Sequence, residues 1–191
     1  MNPFNKLARI IVIVSSLSGC MKTNLLSTAL PPKIFTLAAT NRNPIHIQVV
    51  LLDPQPTIGN QYLLLGIPFG SIESDNVTVL VQRALYTKLA VKGYTPLVDQ
   101  SSGSVFGADA PVLAVRIQNP QASAFDLLVT RHLSCSLDLK AELSKPGGIR
   151  LGKGEGTFEH FGAFAFQKEM SLCFTRALDL ALDRLLNDLR I

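Results

Sequence analysis

Residues 133–143 alternate apolar and polar side chains more regularly than any other part of the chain. The apolar members are Leu133, Cys135, Leu137, Leu139, Ala141 and Leu143. Successive side chains of a strand point to opposite faces of a sheet, so the pattern predicts a long strand with one buried face and one wet face. Such one-sided burial is typical of an antiparallel sheet. The turn sequence Lys145-Pro146-Gly147-Gly148 then predicts a hairpin, with residues 149–158 as its second arm.

Two amphipathic helices are predicted beside this sheet. Apolar residues at helical spacing run from Val77 to a stop at Lys92-Gly93, and Ser74 or Asp75 can cap the helix start. A second helix, from about Gln167 to Leu189, is long enough to cover the sheet. Further strands are predicted at 45–52, 62–67, 94–98 and 112–117, with 125–130 beside the long strand. This order predicts an α+β fold, a two-layer sandwich of a mostly antiparallel sheet with two helices packed on one face.

The N-terminal residues 1–19 have the three zones of a secretory signal peptide. Lys6 and Arg9 form the positive zone, residues 10–17 form a short apolar zone, and two small residues precede Cys20. The apolar zone is too short to span a membrane, which takes about 20 apolar residues. The motif Leu17-Ser18-Gly19-Cys20 resembles the lipobox of bacterial lipoproteins.

The lipobox resemblance implies that Cys20 becomes the acylated N-terminus after cleavage behind Gly19, so that membrane lipid is one partner. Three acyl chains anchor a protein stably, where a single chain is marginal. Met21 is not the aspartate that keeps lipoproteins of enteric bacteria in the inner membrane, so the expected location is the periplasmic face of the outer membrane. The alternative is a plain secretory signal followed by an incidental cysteine.

Residues 20–44 are predicted to be a lipidated tether, and residues 45–191 a single periplasmic domain. The tether has two adjacent prolines, three basic residues and no acidic residue. Fully extended, it could reach roughly 80 Å, which would hold the domain away from the lipid. Its basic residues could instead contact anionic head groups, and residues 33–37 could add a strand to the domain.

The charge balance gives no reason to expect nucleic acid as a partner. The chain has 18 basic and 14 acidic residues, but Lys6 and Arg9 lie in the signal. The remainder carries a net charge of only +2, which is far from a basic nucleic-acid surface.

The order of motifs and elements resembles the YajG-type bacterial lipoproteins. The shared order is a lipobox, a tether, a strand, a helix ending at Lys92-Gly93-Tyr94, a hairpin and a terminal amphipathic helix. A looser resemblance extends to the lipopolysaccharide-assembly lipoprotein and to auxiliary lipoproteins of lipid-handling ABC systems. The resemblance implies a non-enzymatic component of the cell envelope.

The sequence offers little catalytic or metal-binding chemistry, and we expect no cofactor. His132 and Cys135 are three residues apart, which on a strand places them on opposite faces and prevents them from sharing one ion. Gly152, Gly154 and Gly156 lack the following helix that a phosphate site needs. On a strand they would share one face and leave space for an aromatic ring or a neighbouring backbone.

Two side-chain groups remain open to more than one interpretation. The segment before the last helix holds four phenylalanines, which either fill the core or form an exposed patch for a partner: Phe158, Phe161, Phe164 and Phe166. Cys135 and Cys173 could form a disulfide between strand and helix in the oxidising periplasm. The alternative is two separate buried thiols.

Three classes of function remain. The favoured one is an accessory or assembly component of an envelope complex, which binds a protein partner or forms a homo-oligomer. The second is a lipid- or glycan-binding auxiliary of a transport system, which needs a pocket. The third is an enzyme, which would need polar groups that converge in a cleft.

Overall fold

Three strands of 15 residues pair antiparallel with one another, and two of them are the alternating segment and the hairpin arm that the sequence predicts. A computed structural model describes residues 21–24, 43–55, 57–74, 76–98, 110–127, 129–162 and 166–191. The predictions for residues 1–20 and 25–42, and for Phe164, lie outside the described residues. In that part of the chain the strands are β1 (Met21–Asn24), β2 (Asn43–Leu51), β3 (Thr57–Leu63), β4 (Ile67–Glu73), β5 (Tyr94–Val98), β6 (Val112–Asp126), β7 (Arg131–Lys145) and β8 (Gly148–Gly162), and the helices are α1 (Val77–Val91) and α2 (Phe166–Asp188).

Strand β7 is the predicted alternating strand. It pairs antiparallel with β6 on one side and with β8 on the other. All six of its predicted inward residues are buried, whereas the polar residues between them are half-buried or exposed. The prediction of a strand with one covered face is therefore confirmed.

On the side away from β7, β6 pairs with two different strands, so the sheet divides into two branches there. The first half of β6 pairs with β2 and its second half pairs with β3, both in parallel. An irregularity between Gln118 and Gln121, where Asn119 has a φ of 45°, separates the two halves. Strand β5 extends the sheet beyond β2, and β4 and β1 extend it beyond β3.

The predicted fold class, α+β, is correct, but the sheet is mixed. Among the described strands, β3–β4, β6–β7 and β7–β8 are antiparallel. The other four pairings, β1–β4, β2–β5, β2–β6 and β3–β6, are parallel. Parallel neighbours require a crossover connection, and α1 lies in the crossover that leads to β5.

Several predicted boundaries need correction. Residues 62–67 are not one strand, because β3 and β4 form a hairpin with a 3-10 turn at Leu64–Gly66 between them. Phe125 and Asp126 belong to the end of β6, so the segment 125–130 is not a separate strand. Helix α1 has Asn76 as its N-cap residue, without a side-chain capping bond.

Both helices cover the same face of the sheet and bury an aliphatic core. Helix α1 buries Val77, Val81, Leu85 and Leu89 on that core. The helices meet through Lys88, whose Nζ lies 2.8 Å from Asp183 Oδ1, and through Lys92, whose Nζ donates to the Ile191 carbonyl oxygen at 2.7 Å. Gly93, with a φ of 89°, ends α1 in the left-handed conformation that the sequence predicts.

Glycines on β8 let the backbone of α2 approach the sheet closely. A Cβ atom added at Gly154 would collide with the carbonyl oxygen of Ala181, and one at Gly156 with that of Ala177. The prediction that these glycines leave space for a neighbouring backbone is confirmed. Helix α2 also reaches the outer edge of β8, where Asp188 accepts a hydrogen bond from the Lys153 backbone N–H at 2.9 Å. This bond occupies a backbone group that would otherwise be free to pair with another strand.

Candidate functional site: the open face of the sheet

The sheet face opposite the helices, here called the open face, is the candidate functional site. It consists of the even-numbered side chains of β7, the odd-numbered side chains of β8 and their cross-strand neighbours on β6 and β3. No element of the described chain covers it, and its side chains are half-buried or exposed. It joins residues from strands that are far apart in the sequence.

The middle of the open face carries rows of charge. Arg116, Lys140 and Lys153 lie in register across β6, β7 and β8, and all three are exposed. Asp138 and Glu155 form the neighbouring row. Like charges directly opposite each other repel, whereas the diagonal neighbours attract. The open face therefore carries charges of both signs, which favours binding to a polar protein surface over binding to a polyanion.

A cleft without charged residues lies next to these rows, where β3 joins the second half of β6. Its volume is about 320 Å³. Hydroxyl and amide side chains make most of the lining: Asn60, Tyr62, Gln121, Ser123, Ser134 and Ser136. Gly59 permits the junction, because a Cβ there would collide with the carbonyl oxygen of Ala122. The cleft therefore presents many neutral hydrogen-bonding groups.

An aromatic row crosses the open face beyond the cleft. Tyr62, Phe125, His132 and Phe161 are direct cross-strand neighbours on β3, β6, β7 and β8. The rings of Tyr62 and Phe125 stack at 4.7 Å between centroids with an interplanar angle of 13°. The rings of His132 and Phe161 are also 4.7 Å apart, tilted by 34°. His132 Nε2 lies 3.4 Å from Glu159 Oε2.

The aromatic row lies near one end of the sheet. This end is called the β6–β7 end here, because it contains the turn that connects β6 to β7. Large apolar side chains are exposed at this end, and the most exposed are Leu65 (90%), Val129 (79%) and Phe161 (66%). Leu64, Ile67 and Leu127 are exposed as well. The hairpin tip between β3 and β4 and the turn between β6 and β7 thus add apolar surface to that of the rings.

Three of the four phenylalanines of the predicted patch lie in the described part of the chain, and these three do not form one patch. Phe161 lies on the open face, whereas Phe158 and Phe166 are half-buried and pack against the core. The Arg131 guanidinium lies 4.6 Å from the Phe166 ring centroid and forms an ion pair with Asp126. Alternation along β8 separates Phe158 from Phe161, because an odd spacing places them on opposite faces.

Cys135 and Cys173 lie together in the core, and the structure holds both as free thiols. Cys135 faces Phe158 across β7 and β8, and Cys173 Sγ donates to the Phe158 carbonyl oxygen at 3.3 Å. Cys135 Sγ also lies 3.5 Å from Met170 Sδ, one helical turn before Cys173. A hydrogen bond with Cys173, together with burial, raises the pKa of the Cys135 thiol. The fold therefore brings the two predicted cysteines into contact without showing a bond between them.

Other predicted site residues are placed as follows. His132 is on the open face and Cys135 in the core, so they lie on opposite faces of β7 as predicted. Among the described residues, no three His, Cys, Asp or Glu side chains are arranged to hold a metal ion. Neither described helix meets the length and hydrophobicity that a membrane span requires. Cys20 lies outside the described residues.

The aromatic row is the feature that sequence reasoning missed. Its four members come from four strands, and only the cross-strand register brings them together. The sequence pattern alone places Tyr62 in a short apolar strand and Phe161 in the segment before the last helix. A correct register for β6, β7 and β8 would have revealed the neighbours of His132.

No protein-family model matches this sequence, and no curated protein matches it. It is similar to several solved structures at low identity. One is an uncharacterized protein, with 13% identity, a TM-score of 0.40, and coverage of 77% of this chain and 92% of that one. A hypothetical protein from Chlamydia trachomatis has 9% identity and a TM-score of 0.38, covering 78% and 94%. A putative neuraminyllactose-binding hemagglutinin homolog from Helicobacter pylori has 11% identity and a TM-score of 0.36, covering 86% and 92%.

Proposed function

We propose that this protein is a lipid-anchored accessory or assembly component of a cell-envelope complex, located at the periplasmic face of the outer membrane. In this proposal it acts without catalysis and binds its protein partner through the open face. The lipobox motif ending at Cys20 supports the anchor. One structural observation carries the binding role, namely that α1 and α2 cover one face of the sheet, whereas no element of the described residues covers the other.

The composition of the open face supports a protein partner. It combines the exposed ring of Phe161 with mixed charges and neutral polar groups, which is the usual make-up of a non-obligate interface. Aromatic residues and arginine are enriched at such surfaces, and this face carries both. We therefore expect Arg116 and Phe161 to contribute most to the binding of the protein partner.

Photo-crosslinking in intact cells tests this assignment. A photoreactive amino acid replaces Lys140 at the centre of the open face, and the matched control replaces Arg176 on the exposed surface of α2. We expect the probe at 140 to form an adduct with one envelope protein, identified by mass spectrometry, and the probe at 176 to form none. Adducts of equal yield at both positions, or no adduct at 140, would contradict the proposal.

A second candidate function, a glycan-binding auxiliary role, is favoured by the neutral cleft. Asn60, Gln121 and the cleft serines can donate and accept hydrogen bonds with sugar hydroxyl groups. Tyr62 supplies a ring with an apolar face and a polar tip at the edge of the cleft. The lining groups are mostly polar, which suits a sugar better than an acyl chain.

Calorimetric titration with neutral oligosaccharides separates the two candidates. Binding by the wild type that is lost in Tyr62→Ala and retained in Thr157→Ala would support the glycan role. Thr157 is the control because it is exposed on the open face but is not among the residues that line the cleft. Absence of heat for a panel of such sugars would leave protein binding as the better account.

A further inference from the structure

The first described strand fixes where the chain leaves the domain towards Cys20. Strand β1 pairs in parallel with β4, with Met21 beside Gly70 and Asn24 beside Glu73. Strand β4 starts at the hairpin tip and runs away from it, so the first residue of β1 is the one nearest the tip. Cys20 is covalently next to Met21, at a Cα separation of about 3.8 Å.

The cross-strand register places Met21 close to the β6–β7 end of the sheet. Gly70 is paired with Gln61, and Gln61 is paired with Ala124. The next row towards that end is the aromatic row, which begins with Tyr62. Met21, the residue that follows the proposed acylation site, therefore pairs with the sheet near this end.

The same end exposes the hairpin tip and the turn described above, with Leu65, Val129 and Phe161 as the most exposed side chains. Apolar residues are exposed at the opposite end too, including Val91 (83%) on the helix side and Ile149 near the start of β8. Met21, however, is level with Ala124 near the last residue of β6, whereas the opposite end lies at the first residue of β6, Val112. Among the described residues, the β6–β7 end therefore combines apolar exposure with the segment that follows Cys20, and the opposite end does not.

We infer that the β6–β7 end is a membrane-docking surface and that its occupant is the bilayer that holds the acyl chains of Cys20. This inference rests on the proposed lipid anchor. Anchoring at Cys20 holds the exposed side chains at high effective concentration beside the bilayer, so their insertion into the interface needs little further affinity. Each large apolar side chain that leaves water then favours the docked state by about tenfold or more.

Docking at this end also sets the orientation of the open face. The strands meet the membrane at their ends, so the sheet stands upright on the bilayer. The charged rows around Lys140 then point sideways into the aqueous compartment, where a partner can reach them. Phe161 lies at the boundary between the docked end and the open face.

Tryptophan fluorescence can test the docking directly because the chain has no tryptophan of its own. The reporter is Val129→Trp at the docking end, and the matched control is Val91→Trp at the opposite end. Both replace a highly exposed valine, so neither disturbs the core, and the interfacial preference of tryptophan is the same in both. Phe161→Trp provides a second reporter on the docking end.

The measurement uses the full lipidated chain, purified in detergent and reconstituted into phosphatidylcholine vesicles with brominated acyl chains. We expect Val129→Trp and Phe161→Trp to be quenched several-fold more than Val91→Trp. Equal quenching at the two ends, or none at residues 129 and 161 in vesicles that carry the protein, would overturn the docking while leaving the anchor intact. Failure of the chain to float with the vesicles would refute the anchor and the docking together.

Discussion

Replacing Gly154 with alanine should destabilise the domain through the contact between β8 and α2. The added Cβ would lie 2.8 Å from both the Cβ and the backbone N of Leu185, besides colliding with the Ala181 carbonyl oxygen. Non-bonded carbon atoms are in optimal contact at about 3.5–4.0 Å, so α2 must move away by roughly 1 Å. The blocking atoms are mainly helix backbone, so no side-chain rotation can relieve the collision.

The expected cost follows from that displacement. Overpacking a core lowers the free energy of unfolding by about 1–3 kcal/mol. Because the blocking atoms here are helix backbone, we expect a loss near the upper end, about 3 kcal/mol, for Gly154→Ala. For a domain of this size, such a loss lowers the melting temperature by roughly 6–12 °C. In a strand without the obstacle, Gly→Ala would instead stabilise by about 0.4–1 kcal/mol through the unfolded state, so the sign of the effect is diagnostic.

Differential scanning calorimetry of wild type, Gly154→Ala and Glu155→Ala provides the test. Glu155 is the next residue of β8 and its side chain is exposed on the other face, so its replacement should change stability by no more than about 0.5 kcal/mol. A melting temperature of Gly154→Ala equal to or above that of wild type would refute the close approach of α2.

Three further predictions concern the anchor, the long strand and the thiol pair. Cys20→Ala should release the protein from membrane fractions or leave an unprocessed precursor, and a processed variant that stays as firmly bound as wild type would count against the lipoprotein assignment. Leu137→Ala should cost about 2–5 kcal/mol because Leu137 is fully buried, whereas Ser136→Ala on the open face should cost little, as urea denaturation can measure. Oxidation with a small disulfide reagent should join Cys135 and Cys173, which mass spectrometry after unfolding and alkylation would detect. Two alkylated cysteines would show that the pair remains as thiols.

Local sequence patterns predicted the elements that bury one regular face. Residues 133–143 and the terminal helix each carry a full apolar stripe, so period and length suffice to identify them. Gly93 ends α1 as predicted because a positive φ favours glycine at a helix end. These features depend on interactions close in sequence or on a single buried face.

The forked part of the sheet could not be predicted in the same way. Strand β3 contains Thr57, Gly59, Asn60 and Gln61, and its stability comes from pairing with β6 and β4 rather than from an apolar pattern. Gln61 is buried in spite of its polarity, and its side-chain Nε2 lies 3.5 Å from the Ser71 carbonyl oxygen. The cleft and the aromatic row depend on this pairing, so sequence reasoning missed both of them.

The role of the open face as the partner-binding surface can be tested most directly by thiol labelling in native membranes. Thr157→Cys places a thiol on the open face, and Thr175→Cys places a matched thiol on the exposed surface of α2. Cys135 and Cys173 are buried, so a hydrophilic maleimide should leave them unlabelled in the folded protein. We predict that Thr157→Cys is protected in native membranes and becomes labelled after purification, while Thr175→Cys is labelled in both. Equal labelling of Thr157→Cys before and after purification would contradict the claim that a partner covers the open face.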